Sequence, residues 1–132
     1  MSNRLKNSIK SEIDIHFVKS EAEEIMKKLN FSLQTIVKVC TIVSELAHNQ
    51  LKYAKSGWIE ISIAEEGEQF KVYIEAKDKG PGISDLDMAF QNNYSSGGTL
   101  GLGLPGIKRL SDQLYIESTP NSGTRINVVV MV

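Results

Sequence analysis

Four short pieces of this chain carry residue types that can do chemistry. Glu45 and Asn49, in the run SELAHN, are four residues apart. On a helix that spacing puts both side chains on one face. A carboxylate there can accept a proton. An amide oxygen beside it can ligate a hard cation such as magnesium, which takes oxygen ligands and keeps several of its waters. The same pair also fits a plain solvated face, because the helical wheel groups it with Gln34, Lys38 and Lys52, outside the apolar stripe.

Asp78 closes an apolar alternation just ahead of KGPGI. Aspartate before glycine is a turn device, but a carboxylate buried at a strand end can also accept the exocyclic amine of adenine. Gly80 and Gly82 would then let the backbone approach a flat base, since no Cβ intervenes, and Ile83 would supply an apolar wall. The run from Ser95 to Gly106 holds five glycines, at 97, 98, 101, 103 and 106. Its GLG segment comes immediately before a predicted helix start, where free N–H groups and the positive end of the helix dipole hold phosphate. Gly98, Gly101, Leu102, Gly103 and Leu104 are the candidate cofactor-binding positions of this run, and the remainder would fold over a nucleotide as a lid. It is not a GxxxxGKS loop, which needs its Lys, nor a Rossmann fingerprint, which needs parallel strands. Thr124, in SGTRI, is either an ordinary β-branched strand residue or a hydroxyl facing adenine through water.

These residues need elements to hold them. Apolar residues at Phe17, Val18, Ala22, Ile25, Met26 and Leu29 repeat with a helical period, so a helix is expected from about Asp14 to Leu29. Ser11 with Asp14 resembles a capping box. A second helix is expected from an N-cap at Ser32 to about Tyr53, with a stripe of Leu33, Ile36, Val37, Cys40, Val43, Ala47 and Leu51, and with Ile42 and Leu46 on other faces. A helix this apolar around its circumference is sandwiched between other elements. The period then changes to two. Trp58–Ala64 and Phe70–Ala76 read as a hairpin, as do Leu114–Ser118 and Thr124–Val132. A faint strand signal covers Asn7–Lys10, Asp85–Phe90 reads as a short helix, and a third helix is expected to start near Pro105. The expected fold class is α/β: a two-layer sandwich, with a mixed, mainly antiparallel sheet carrying about three helices on one face.

The bulk numbers narrow the function classes. The 132 residues fit one domain, with 41% hydrophobic and 23% charged residues, as in ordinary globular chains. Fifteen basic against 16 acidic residues argue for no nucleic acid and no membrane surface as partner. Cys40 is the only cysteine, so no disulfide can form within the chain, and a buried core thiol is expected. No apolar run nears a membrane span, and MSNRLKNSIK has no signal-peptide core, so the cytoplasm is the expected compartment.

In order, SELAHN, DKGPGI, GLGLPGIKRL and SGTRI resemble the GHKL (Bergerat) ATP-binding superfamily of histidine kinases, Hsp90-type chaperones, type II topoisomerases and MutL. The resemblance spans essentially the whole chain, residues 1–132. SELAHNQLKYAKSG and SSGGTLGLGLPGIKRLSDQL are most similar to the RsbT-like serine/threonine switch kinases of the stressosome, which are related to anti-sigma-factor kinases. The resemblance implies a Bergerat fold, ATP with Mg2+ as cofactors, and an ATP-dependent protein-serine/threonine kinase. It implies Glu45 as catalytic base, Asn49 as magnesium ligand and Asp78 as the adenine-reading carboxylate. Gly80 with Gly82, and Gly101 with Gly103, match its two glycine boxes, and Thr124 its adenine-supporting hydroxyl. STAS-domain antagonist and scaffold proteins are the implied substrates. A phosphatase or cyclase-type downstream regulator would be bound on release, and a homodimer is allowed. His48 departs from the arginine common in switch kinases, and Leu102 from a small residue.

Lys79 and Lys108 are separated by a stretch without one basic residue. Phosphoryl transfer depends on neutralising γ-phosphate charge, so magnesium, backbone N–H groups and Lys52 or a partner's residue would carry that task. Slow turnover is expected, and weak activity without the protein substrate. Two other readings stay open at this point: an anti-sigma-factor kinase that sequesters a sigma factor, and a nucleotide-binding interaction module without catalysis.

Overall fold

The computed structural model describes residues 3–82 and 103–132. The expected helix at 85–90, the glycine-rich loop, and Ile83, Gly98, Gly101 and Leu102 lie outside those residues. Along the described chain run β1 (Asn3–Ile9), α1 (Glu12–Lys28), α2 (Leu33–Tyr53), β2 (Gly57–Glu66) and β3 (Gln69–Asp78). After the undescribed segment come α3 (Gly103–Leu110), β4 (Gln113–Thr119) and β5 (Gly123–Met131).

The strands form one sheet in the order β1-β2-β3-β5-β4, and every neighbouring pair is antiparallel. Alternation decides which face is covered. Ile59, Ile61 and Ile63 of β2, Val72, Ile74 and Ala76 of β3, and Ile126, Val128 and Val130 of β5 are buried on one side. Trp58 and Lys77 project on the other. A β-branched side chain removed from water here contributes about 1.5–3 kcal/mol, so a one-residue slip of register would forfeit the whole set.

α1 and α2 pack on this apolar face and on each other, and α3 packs against α2. The two-layer sandwich is therefore as expected. At the start of α1 the Asp14 carboxylate accepts the N–H groups of Lys10 (2.8 Å) and Ser11 (3.1 Å), satisfying donors a helix start leaves open. Ser32 Oγ accepts the Thr35 N–H at 3.1 Å and opens α2. The weak strand near Asn7 proves to be a seven-residue strand, β1, paired along its length with β2. No described helix is long and apolar enough to cross a membrane.

The expected stripe of α2 needs correction. The buried residues are Ile36, Val39, Ile42, Val43, Leu46, Ala47 and Gln50. Leu33 and Val37 are 71% and 55% exposed, and Cys40 and Leu51 are half-buried. A helix touched by the sheet, α1 and α3 has three apolar sides. Leu33 and Val37 lie on the remaining, uncovered side, where apolar residues at helical spacing also occur. Phe17 of α1 is likewise exposed, not part of the stripe.

Candidate functional site

The sheet's β3–β5 seam supplies the first half of the site. Asp78 ends β3 and pairs with Thr124 of β5. Asp78 Oδ1 accepts two backbone N–H groups, from Gly80 at 2.8 Å and from Thr124 at 3.3 Å. Oδ2 accepts none among the described residues. The carboxylate is thus held in one orientation by one oxygen while the other stays available to a donor. That suits the exocyclic amine of a purine. Thr124 Oγ1 lies 2.9 Å from Ser118 Oγ, so the two hydroxyls share a hydrogen bond across β4 and β5.

Beyond Asp78 the backbone runs close to its surroundings. A Cβ at Gly80 would stand 2.5 Å from Ala54 Cβ, at the end of α2. Gly82 has φ +77°, and a Cβ there would overlap the Thr119 carbonyl. Any larger residue would push this segment off the sheet and fill the space beside Asp78.

The second half comes from α2 and the start of α3. Glu45 Oε2 accepts the Gly103 N–H at a long 3.4 Å, which sets the carboxylate at the first turn of α3. Leu104, the next residue, is buried against the core and anchors that turn. Asn49 lies one turn along α2 from Glu45 and is half-exposed. Glu45, Asn49, Gln50 and Ala54 follow one another over about 14 Å of helix, from the α3 end of the site to the Asp78 end. Among the described residues no three His, Cys, Asp or Glu side chains gather. A divalent cation here would rest on the Asn49 amide oxygen together with phosphate oxygens and water, an arrangement magnesium accepts.

Sequence reasoning missed Gln50. Its side chain is 3% exposed, and Nε2 donates to the carbonyls of Trp58 (3.0 Å) and Lys77 (3.2 Å). Its Oε1 has no partner among the described residues. Gly57 makes room for it, because a Cβ there would fall inside the Gln50 amide. The readable signal was a polar residue on the buried helix face four positions after Leu46, followed by a glycine at the next strand's start. His48 points elsewhere: Nε2 is 3.0 Å from Glu12 Oε2 and Nδ1 2.8 Å from the Ser44 carbonyl, tying α2 to the start of α1.

With this geometry established, comparison with known proteins is decisive. The sequence model described as "Histidine kinase-, DNA gyrase B-, and HSP90-like ATPase" matches residues 34–132. The chain belongs to this family. It is 36% identical to the serine/threonine-protein kinase RsbT of Bacillus subtilis, over 92% of this chain and 91% of that one. It is 30% identical to an anti-sigma F factor of Clostridium kluyveri, over 83% of this chain and 80% of the relative. Among solved structures, the RsbU and RsbW domains of Rv1364c from Mycobacterium tuberculosis superpose with a TM-score of 0.66 at 14% identity, covering 98% of this chain and 32% of that one. The SiaB–SiaC complex of Pseudomonas aeruginosa superposes with a TM-score of 0.57 at 13% identity, over 98% and 89%. At such identities the two structures speak for the fold alone. ATP is the ligand class of the family, in keeping with the half-satisfied Asp78 carboxylate and the close-packed glycines.

Proposed function

We propose that this protein is an ATP-dependent protein-serine/threonine kinase of a partner-switching module, acting in the cytoplasm. Its substrate is a serine or threonine on a STAS-domain antagonist or scaffold protein. Once released, it binds a downstream regulator. The reading is carried by identity to a serine/threonine kinase over nine-tenths of both chains, in a molecule where Glu45, Asn49 and Asp78 follow one another from α2 to the end of β3.

Each residue then has a task. Asp78 Oδ2 and the Thr124 hydroxyl read the adenine. Asn49 would hold Mg2+ through its amide oxygen, and the ion would supply positive charge against the phosphates. Gly103, at the first turn of α3, steadies the Glu45 carboxylate through its N–H. Glu45 takes the proton from the attacking hydroxyl as oxygen bonds to the γ-phosphorus and ADP leaves. Ile83, Gly98, Gly101 and Leu102 complete the nucleotide's surroundings in this reading.

The test is incubation with ATP, Mg2+ and candidate STAS proteins, read by mass spectrometry. Phosphoserine or phosphothreonine should appear, and should vanish with Glu45→Ala or Asn49→Ala. Bound nucleotide without transfer to any such protein contradicts the kinase reading and leaves a nucleotide-binding module. Similarity to an anti-sigma F factor favours a second reading, in which the bound regulator is a sigma factor. Co-purification of a sigma subunit in preference to a phosphatase or STAS scaffold would select it.

A further inference from the structure

We propose that the open face of the sheet around Trp58 is a docking surface for an acidic segment of a protein partner, separate from the nucleotide cleft. The chain's only tryptophan sits on β2 with its side chain directed away from the helices, 37% exposed, between Ser8 of β1 and Lys77 of β3. Around it lies a depression of about 310 Å³ lined by Lys6, Trp58, Glu60, Glu75, Lys77 and Lys79. Lys79 Nζ stands 6.0 Å from the indole centroid, within cation–π range.

The charge balance of this depression is one-sided. Both of its carboxylates are already engaged, Glu60 by Arg4 at 2.6 Å and Glu75 by Arg125 at 2.9 Å. Among the described residues, Lys6, Lys77 and Lys79 have no carboxylate within ion-pair distance. Among the described residues, three ammonium groups therefore gather around the indole without a carboxylate of their own, in a chain whose net charge is only -1. Tryptophan is enriched at interface centres, and complementary charge gives protein contacts their selectivity and fast association.

The construction of the floor says what kind of anion fits. Beneath these side chains runs the β1–β2–β3 ladder, whose backbone groups are paired with one another. In that ladder the backbone donors of β2 point to its two neighbouring strands and not into the depression. It offers flexible ammonium tips and a flat apolar ring, which match carboxylates spaced along a polypeptide and an aliphatic side chain between them. A small ligand held by directional hydrogen bonds would find none of the rigid groups it needs. Lys77 and Lys79 flank Asp78, so the surface is the reverse side of the strand end that carries the candidate adenine reader. A partner held there would leave the cleft open.

Because Trp58 is the sole tryptophan, its emission reports this surface alone. The full chain is titrated with a short peptide of Glu, Gly and Leu, and with the same peptide carrying Gln for Glu. The account expects a saturable change of Trp58 emission with the acidic peptide only. Lys77→Glu/Lys79→Glu should weaken it at least about tenfold, with ATP binding by calorimetry unchanged. Binding that survives the double substitution, or no saturable response in the parent protein, overturns the proposal. So does an equal or tighter response to inorganic phosphate or to an oligonucleotide, which would assign the surface to small anions or nucleic acid. The calorimetric arm keeps this result distinct from failure of the kinase reading.

Discussion

Gln50 Nε2 lies 3.2 Å from the carbonyl oxygen of Lys77, the residue before Asp78, and so ties the helix that bears Glu45 and Asn49 to the strand end that bears the Asp78 carboxylate. The direction of this bond makes a prediction that shape alone would not. Both contacts are donations from the amide nitrogen to carbonyls. Gln50→Glu, nearly isosteric, would set a buried carboxylate against two carbonyl oxygens. Gln50→Leu only removes the donor. Urea unfolding should show Gln50→Leu destabilised by about 1–3 kcal/mol and Gln50→Glu destabilised more. Equal stability of Gln50→Glu and the parent would contradict the assignment.

The division of labour along α2 predicts separable losses. Glu45→Gln removes a proton acceptor while keeping size, so ATP affinity should stay within a few-fold and phosphoryl transfer should fall by about 10²–10⁴. Asn49→Ala should weaken ATP binding in Mg2+ and lose most of the difference between Mg2+ and EDTA. Paired calorimetry and transfer assays read both.

How much of this arrangement was readable before the fold was known varied with the kind of residue. Asp78, Gly80 and Gly82 were readable as a strand end followed by a tight turn, because a carboxylate and two glycines follow a period-two apolar run, and the Gly80 N–H does donate to the Asp78 carboxylate. The sheet and its hairpins were visible because half-buried strands alternate. The α2 stripe misled because Leu33 and Val37 are apolar residues on the uncovered side of the helix, spaced so that they could pass for core. Gln50 was passed over because its place on the buried face four residues after Leu46 says only that it is inside, while its partners, the carbonyls of Trp58 and Lys77, are set by the strand packing.

The corrected stripe gives its own test. Leu46 is fully buried and Val37 is on the surface. Leu46→Ala should cost about 2–5 kcal/mol, and Val37→Ala should stay within about 0.5 kcal/mol. Chemical denaturation of the two variants distinguishes the observed face from the expected one.

Cys40 is half-buried, and burial, reinforced by Glu23, pushes its thiol pKa up while Lys19 opposes. The folded state therefore holds the proton more tightly than the unfolded chain. The resulting stability is present below the ordinary thiol pKa and is lost as pH rises through the folded value. The thiolate is the reactive form. Iodoacetamide should modify the native protein more slowly than the unfolded chain near pH 8.5, with the rate still climbing at higher pH. Equal rates at that pH would contradict the assignment.

The central claim is that a purine nucleoside triphosphate is held between α2 and the Asp78 end of the sheet. Isothermal calorimetry of ATP into the protein with Mg2+ tests it most directly. The account predicts a saturable heat at one nucleotide per chain, abolished by Asp78→Asn at a concentration where the variant remains folded by circular dichroism. No heat with the parent protein, or an unchanged isotherm with Asp78→Asn, would contradict it.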